Sequence, residues 1–208
     1  MGSHTLEMIG IVIVAVITAV LGPTIVEIVK SRLRKKNRVV VDPIRTEVIA
    51  SGTILDELDD IRETLKGDRV WVKMYHNGGH FLLTNKSIQK FSVMYESCSP
   101  GVSNVGHVFS NIPISLYQRS THQLMEHGNL YISDFNDPKI ATYGLKGAAE
   151  STGTVSTYAV ALYDIATNKC IGTIGIDFLK KNKLTKKNLI FLNQRAGRIG
   201  GYLSNFLN

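Results

Sequence analysis

The stretch Thr157-Tyr158-Ala159-Val160-Ala161-Leu162-Tyr163, turning through Asp164-Ile165-Ala166-Thr167-Asn168 and returning as Cys170-Ile171-Gly172-Thr173-Ile174-Gly175-Ile176-Asp177-Phe178, reads as an antiparallel hairpin. β-Branched and aromatic residues fill both arms, and Asp, Asn and Thr occupy the connection. Before it, Arg69-Val70-Trp71-Val72-Lys73-Met74-Tyr75 and Phe91-Ser92-Val93-Met94-Tyr95-Glu96 also read as strands. His76-Asn77-Gly78-Gly79-His80 reads as a turn, because Asn-Gly suits positive φ. Leu130-Tyr131-Ile132 is a shorter strand.

Helical periods bracket these strands. Ile54, Leu58, Ile61 and Leu65 recur at helical spacing between acidic residues, giving a helix over 44–66 that starts after Asp42-Pro43 and stops at Gly67. The seam is about two heptads long, too short to specify a coiled coil by itself. Thr185 is a good N-cap for a last helix carrying Leu189, Leu192, Ala196, Ile199, Leu203 and Phe206. Residues 114–127 read as helical, and 139–151 as a helix or a mobile segment rich in Gly and Ala.

The N-terminal 38 residues differ in kind. No charge occurs from Met8 to Val26, and the run of about 19 apolar residues would span roughly 28 Å as a helix, about the thickness of a bilayer core. Lys30, Arg32, Arg34, Lys35, Lys36 and Arg38 follow with no acid among them. A cleaved signal peptide has its cations before a shorter apolar core, which is the reverse order. The reading is a single-pass anchor with the N-terminus outside, the C-terminal domain cytoplasmic, and the six cations at the membrane surface. These cations also account for most of the formal charge of +7. A nucleic-acid partner is therefore not expected, and the lipid bilayer is. The division expected is 1–38 anchor and basic segment, 39–66 connector and amphipathic helix, and 67–208 the domain that carries the hairpin.

The order helix, two strands, mixed middle, hairpin and final helix resembles a GAF domain, the PAS-related sensor fold. Arg69–Tyr75, the closing hairpin and the helix after Thr185 carry the resemblance. Ile-Gly-Thr-Ile-Gly-Ile-Asp-Phe over 171–178 is similar to that family's Gly-x-Leu-x-(Leu/Phe) strand. The resemblance implies an α+β fold: an antiparallel sheet, the first and last helices together on one face, and a ligand pocket on the other under the middle segment. The cyclic-nucleotide pattern Asn-Lys-x-Phe-Asp-Glu is absent, since Asn85-Lys86-Ser87 lies too early. Cys98 sits in no recognisable bilin-attachment motif, and two cysteines do not fit methionine sulfoxide reduction. Cys98 and Cys170 read as ordinary thiols, with a disulfide disfavoured in a cytoplasmic setting.

The candidate ligand-binding residues are His76, Asn77, His80, Tyr95, Glu96, His107 and Asp134. His76 and His80 with Glu96 form the sharpest constellation, open to a metal, a small ligand or plain turn chemistry. Glu96 faces a Pro-Gly loop whose amides it can anchor, or it is exposed. His107, Asp134 and Asp137 sit on loops that would rim the pocket. There is no Gly-x-Ser-x-Gly elbow, Walker loop or dinucleotide fingerprint. No enzyme activity, metal or cofactor is expected. The leading expectation is a membrane-anchored sensor or regulatory module acting through a small ligand or protein contacts, as a dimer or higher oligomer. The rivals are a non-catalytic structural or interaction protein (a phage-encoded one among them) with a ligand-free GAF-like fold, and an enzyme using His76, His80 and Glu96.

Overall fold

The computed structural model describes Val26, Glu27, Lys30 and residues 42–140 and 144–207. The chain divides into a first unit, Met1–Arg45, and a second, Thr46–Asn208. In the first, Val26, Glu27 and Lys30 are helical and exposed. The rest of the apolar run read as an anchor, 8–25, and the cations Arg32, Arg34, Lys35, Lys36 and Arg38 lie outside the described residues. Among the described residues no helix is long and apolar enough to cross a membrane.

Helix α1 runs Pro43–Leu65. Asp42 caps it, its carboxylate accepting from the amides of Ile44 (3.0 Å) and Arg45 (3.4 Å), while Pro43 occupies the first turn where no amide is needed. The helix ends differently from expectation. The left-handed residue is Lys66, with φ 55°, and Gly67 follows it. The amide of Gly67 donates to the carbonyl of Arg62 (2.9 Å) and that of Lys66 to the carbonyl of Glu63 (3.4 Å), a Schellman pair. Gly67 is required for space instead: a Cβ there would lie 2.4 Å from Cδ1 of Ile176.

Six strands are described: β1 Arg69–His80, β2 Ser87–Cys98, β3 Ile112–Pro113, β4 Asn129–Ile132, β5 Ser156–Tyr163 and β6 Cys170–Phe178. They form one antiparallel sheet in the order β3-β2-β1-β6-β5-β4. β1 and β2 are longer than the sequence pattern indicates. His76 pairs with Lys90 and Asn77 with Gln89, so the expected turn at 76–80 is the irregular end of β1, and the reversal falls at 81–86. The middle segment supplies a 3₁₀ turn Ile114–Tyr117, helix α2 Gln118–His127 and helix α3 Leu145–Ser151. Helix α4 spans Lys186–Leu207, and Thr185 Oγ1 accepts from the Asn188 amide (3.2 Å) as its cap.

Alternation along the strands sorts the sheet into two faces. Val70 and Val72 of β1, Tyr158, Val160 and Leu162 of β5, and Ile174, Ile176 and Phe178 of β6 are buried against both terminal helices. α1 contributes Ile54, Leu58, Ile61 and Leu65, and α4 contributes Leu192, Ala196, Ile199 and Leu203. The α1 seam is thus core of the same unit as the sheet. Each Val, Leu, Ile or Phe among them contributes about 1.5–3 kcal/mol by leaving water. Glu57 of α1, itself buried, is held by Arg195 (2.5 Å) and Arg198 (2.6 Å) of α4, and Arg195 also pairs with Asp60. The second face carries separate apolar clusters around Trp71 and around Phe91 with Phe109, covered by the middle segment.

Candidate functional site

The covered face of the sheet is built from the other half of the alternation. On β1 it presents Arg69, Trp71, Lys73 and Tyr75. Across β5 and β6 it presents small residues: Thr157 and Ala159, Thr173 and Gly175, then Asp177. Gly175 faces Trp71 in the β1–β6 register, and a Cβ there would lie 2.1 Å from the indole. The glycine therefore lets the indole lie down on the sheet. Gly175→Ala is expected to cost about 2 kcal/mol by overpacking, read as a lower denaturation midpoint with a changed Trp71 emission. A midpoint within error of the wild type would refute that packing.

Arg69 is the centre of a buried ionic network, 2% exposed. Its guanidinium lies 3.3 Å from Glu96 Oε1 and 3.3 Å from Asp177 Oδ2, and donates to the Ser103 carbonyl at 2.8 Å. Glu96 also accepts from the amides of Val105 (2.9 Å) and Gly106 (3.1 Å), and Asp177 from Thr157 Oγ1 (2.7 Å). The loop after β2 is thereby stitched to the sheet, which is the buried-anchor alternative for Glu96. Each carboxylate has its own donors, so neither needs Lys73.

Lys73 stands apart. Its Nζ lies 4.0 Å from the centroid of the Trp71 ring, 5.2 Å from Phe91 and 5.4 Å from Phe109. Aromatic faces attract an ammonium but accept no hydrogen bond of ordinary strength. Burial lowers its pKa from 10.5 to about 8, with Asp177 opposing the shift. Two cavities of about 40 Å³ each adjoin it, one toward Phe135 and Thr154, one toward Tyr75 and Leu124, and both are lined by Trp71, Lys73, Leu145 and Thr157. A cavity needs about 10–15 Å³ per water on this measure, so each takes a few small atoms. A wider groove of about 390 Å³ adjoins them, sharing Leu145 and Phe135 with the first cavity and Tyr117 and Leu130 with the second. The phenols of Tyr75 and Tyr117 are pushed up by burial and stay protonated at neutral pH.

The seven residues expected to form the site are not brought together. Glu96 is on the covered face, in the network just described. Tyr95 is on the opposite face, buried among the helix-side residues, where burial raises its phenol. His76 bonds Ser92 Oγ at 2.9 Å, Asn77 bonds the Gln89 amide at 2.9 Å, and His80 is exposed, all toward the far end of β1. His107 is exposed on the loop after β2. Asp134 turns its own loop, held down in pKa first by the Asn136 amide (2.9 Å) and then by Lys181 (3.1 Å). Among the described residues no group of three His, Cys, Asp or Glu stands close enough to hold a metal ion. Both cysteines are free thiols, and burial raises each.

Sequence reasoning passed over Arg69, Trp71, Lys73 and Asp177. Their signal was present, as polar and aromatic residues at steps of two on β1. The same pattern describes a strand with one wet face, and nothing local says that a distant segment will cover it.

No protein-family model matches the chain, and no curated protein matches it. Solved structures do match. The chain is similar to GAF3 of Slr1393 from Synechocystis sp. PCC6803 in its photoproduct state, with TM-score 0.58 and 14% identity, over 75% of this chain and 94% of that one. It is similar to the blue-light absorbing form of the PixJ GAF-domain of Thermosynechococcus elongatus, with TM-score 0.60 and 12% identity, over 80% and 90%. A GAF domain/HD domain protein from Geobacter sulfurreducens gives TM-score 0.56 at 12% identity, over 76% and 94%. Together with the strand order and the helix placement, these define the fold as GAF-like.

Proposed function

We propose that this chain is a membrane-anchored, non-catalytic regulatory module, whose GAF-like domain answers a small ligand or a protein contact at the cytoplasmic face. The observation that carries the reading is the covered sheet face, where a half-buried ammonium ringed by aromatic side chains stands beside open space. A purely structural fold has no need to keep Lys73 there. The terminal helices, tied by Glu57 to Arg195 and Arg198, are the route by which a change at the sheet reaches a partner. A second copy is the proposed partner, because Val48 and Leu55 leave apolar surface exposed along α1.

The anchor rests on the sequence of residues 8–38. The tip between β1 and β2 supports a membrane setting. Phe81 is 55% exposed, Leu82 103% and Leu83 100%, Lys86 and Lys90 flank them, and no acid occurs between Asp68 and Glu96. Apolar side chains framed by cations suit the headgroup region of an anionic bilayer.

Native mass spectrometry of the full chain released from detergent tests the reading. The expected result is a dimer that retains a small mass; a bare monomer would sink it. The small size of the inner cavities favours a second reading, a ligand-free interaction module, which the same spectrum would show as a stable oligomer with nothing bound.

Some similar structures are bilin-bound, one of them a phycocyanobilin-bound GAF domain from a cyanobacterial phytochrome. We do not extend that to this chain. The inner cavities are far below a tetrapyrrole in size, and burial together with Glu96 weakens Cys98 as a nucleophile. Incubation with phycocyanobilin is expected to leave no covalent adduct on a denaturing gel.

A further inference from the structure

We propose that the cavity around Lys73 binds a small organic monocarboxylate, its carboxylate on the Lys73 ammonium and its short apolar tail against Leu145 and the aromatic walls. This rests on the regulatory-module reading above and names the ligand class for it.

Three independent features point the same way. The first is the unmet donor. Lys73 Nζ faces the rings of Trp71, Phe91 and Phe109, and among the described residues it makes no hydrogen bond or ion pair. Asp177 and Glu96, the nearby carboxylates, are satisfied by Arg69, Thr157 and two loop amides. Lys73 is half-buried, so its ammonium is partly withdrawn from water without a protein carboxylate set against it. The second is the shape of the space. The two cavities share Lys73 and Leu145 in their lining; both are small, and their walls are apolar apart from hydroxyls and, in the first, the Asp177 carboxylate that Arg69 and Thr157 hold, so the ligand they suit has one polar end and a short hydrocarbon end. The third is the approach. The wider groove is lined by Arg119, Lys139 and Lys146, with no acidic residue among its described lining. A groove of one sign walled by apolar groups concentrates the opposite ion beside the cavities with which it shares Leu145.

The charge on the ligand decides between classes. A neutral alcohol would satisfy one N–H but gain nothing from the groove, and an amine would be repelled by it. A carboxylate supplies strong acceptors to the ammonium. Binding then favours the protonated lysine, so affinity falls as pH rises past about 8, where the unliganded group gives up its proton. The other ionisable groups facing these cavities are Asp177, Tyr75 and Tyr117. The two phenols stay protonated throughout because burial raises them.

Trp71 is the single tryptophan of the chain and lies against Lys73, so its emission reports on the site. The experiment titrates the full chain in a non-ionic detergent with acetate, butyrate, n-butanol and n-butylamine, and repeats the series on Lys73→Met. The expected result is a saturable change with butyrate, at least about tenfold weaker in the variant and weakening between pH 7 and 9.5. Neither butanol nor butylamine should reproduce it. No saturable response to either carboxylate, or an equal response in Lys73→Met, overturns the proposal. A saturable response to butanol or butylamine alone overturns the carboxylate class and leaves a ligand-binding regulatory module standing. Silence from every probe, in a chain that mass spectrometry finds bare, removes both.

Discussion

Replacing Arg69 with methionine is expected to destabilise the fold by about 3–5 kcal/mol, the range for removing one partner of a buried ion cluster. The reason is what remains. Glu96 and Asp177 would both lose the guanidinium that each lies against, and the Ser103 carbonyl would lose its donor. Urea unfolding of the purified chain measures the loss, and a midpoint lowered by roughly 1–3 M is the expected reading. Adding Asp177→Asn in the Arg69→Met background should restore part of it, because one of the two stranded charges is gone. Strict additivity of the two substitutions would contradict the network. Arg69→Lys should not rescue, since an ammonium lacks the fork that reaches both carboxylates and the carbonyl together.

Lys73→Met should act in the opposite direction and raise stability. A fall in pKa from 10.5 to about 8, at about 1.4 kcal/mol per pH unit, sets a ceiling of about 3 kcal/mol on what the buried charge costs. A gain of about 2 kcal/mol is expected at pH 7, or roughly 4–8 °C in melting temperature for a chain of this size. The pH dependence follows from which state holds the proton. Below about pH 8 both folded and unfolded chains are protonated at Lys73, and the wild type bears the full cost. Between about 8 and 10.5 the folded chain has given up the proton while the unfolded chain keeps it, so wild-type stability rises relative to the variant. The difference between the two melting curves should shrink across that window and vanish above it. A variant no more stable than wild type at pH 7, or a difference independent of pH, would contradict a desolvated Lys73. Stability gained by deleting a side chain is the mark of a group kept for something other than folding.

Much of the architecture was legible because it depends on local repetition. The helical spacing of Ile54, Leu58, Ile61 and Leu65, and of Leu192, Ala196, Ile199 and Leu203, marks residues that do form the helix-side core. The alternation of Tyr158, Val160 and Leu162 with Thr157, Ala159 and Ala161 marks the two faces of β5. Asp42-Pro43 and Thr185 mark helix starts, since a cap is a contact with residues two or three positions away. The end of α1 does fall at Gly67, but for a different reason from the one its residue type suggests. The usual association of glycine with the left-handed position hides that Lys66 takes it, and that Gly67 makes room for Ile176.

The site was much less legible. His76 and His80 draw attention as a pair in a glycine-rich stretch, yet they lie along a strand that continues past the point where the turn was expected. Loop length and hairpin register depend on the partner strand, and a short window does not contain the partner.

By itself the sequence determined the order of the longer elements, the faces of the helices and hairpin, and a charge distribution concentrated in the N-terminal segment. Those follow from periodicity and from residue chemistry over short spans. Only the tertiary structure decided which residues meet in the pocket, and β2 shows why. The register slips between Val72 and Lys73, leaving Met94 unpaired between Val93 and Tyr95. Side chains alternate with period two, so one extra residue exchanges the faces of everything beyond it. Tyr95 turns to the helices, and Glu96 turns to Arg69. Nothing in Phe91-Ser92-Val93-Met94-Tyr95-Glu96 announces the bulge. It exists because pairing with β1 and burial on both faces are satisfied together only when one residue is left out of the ladder.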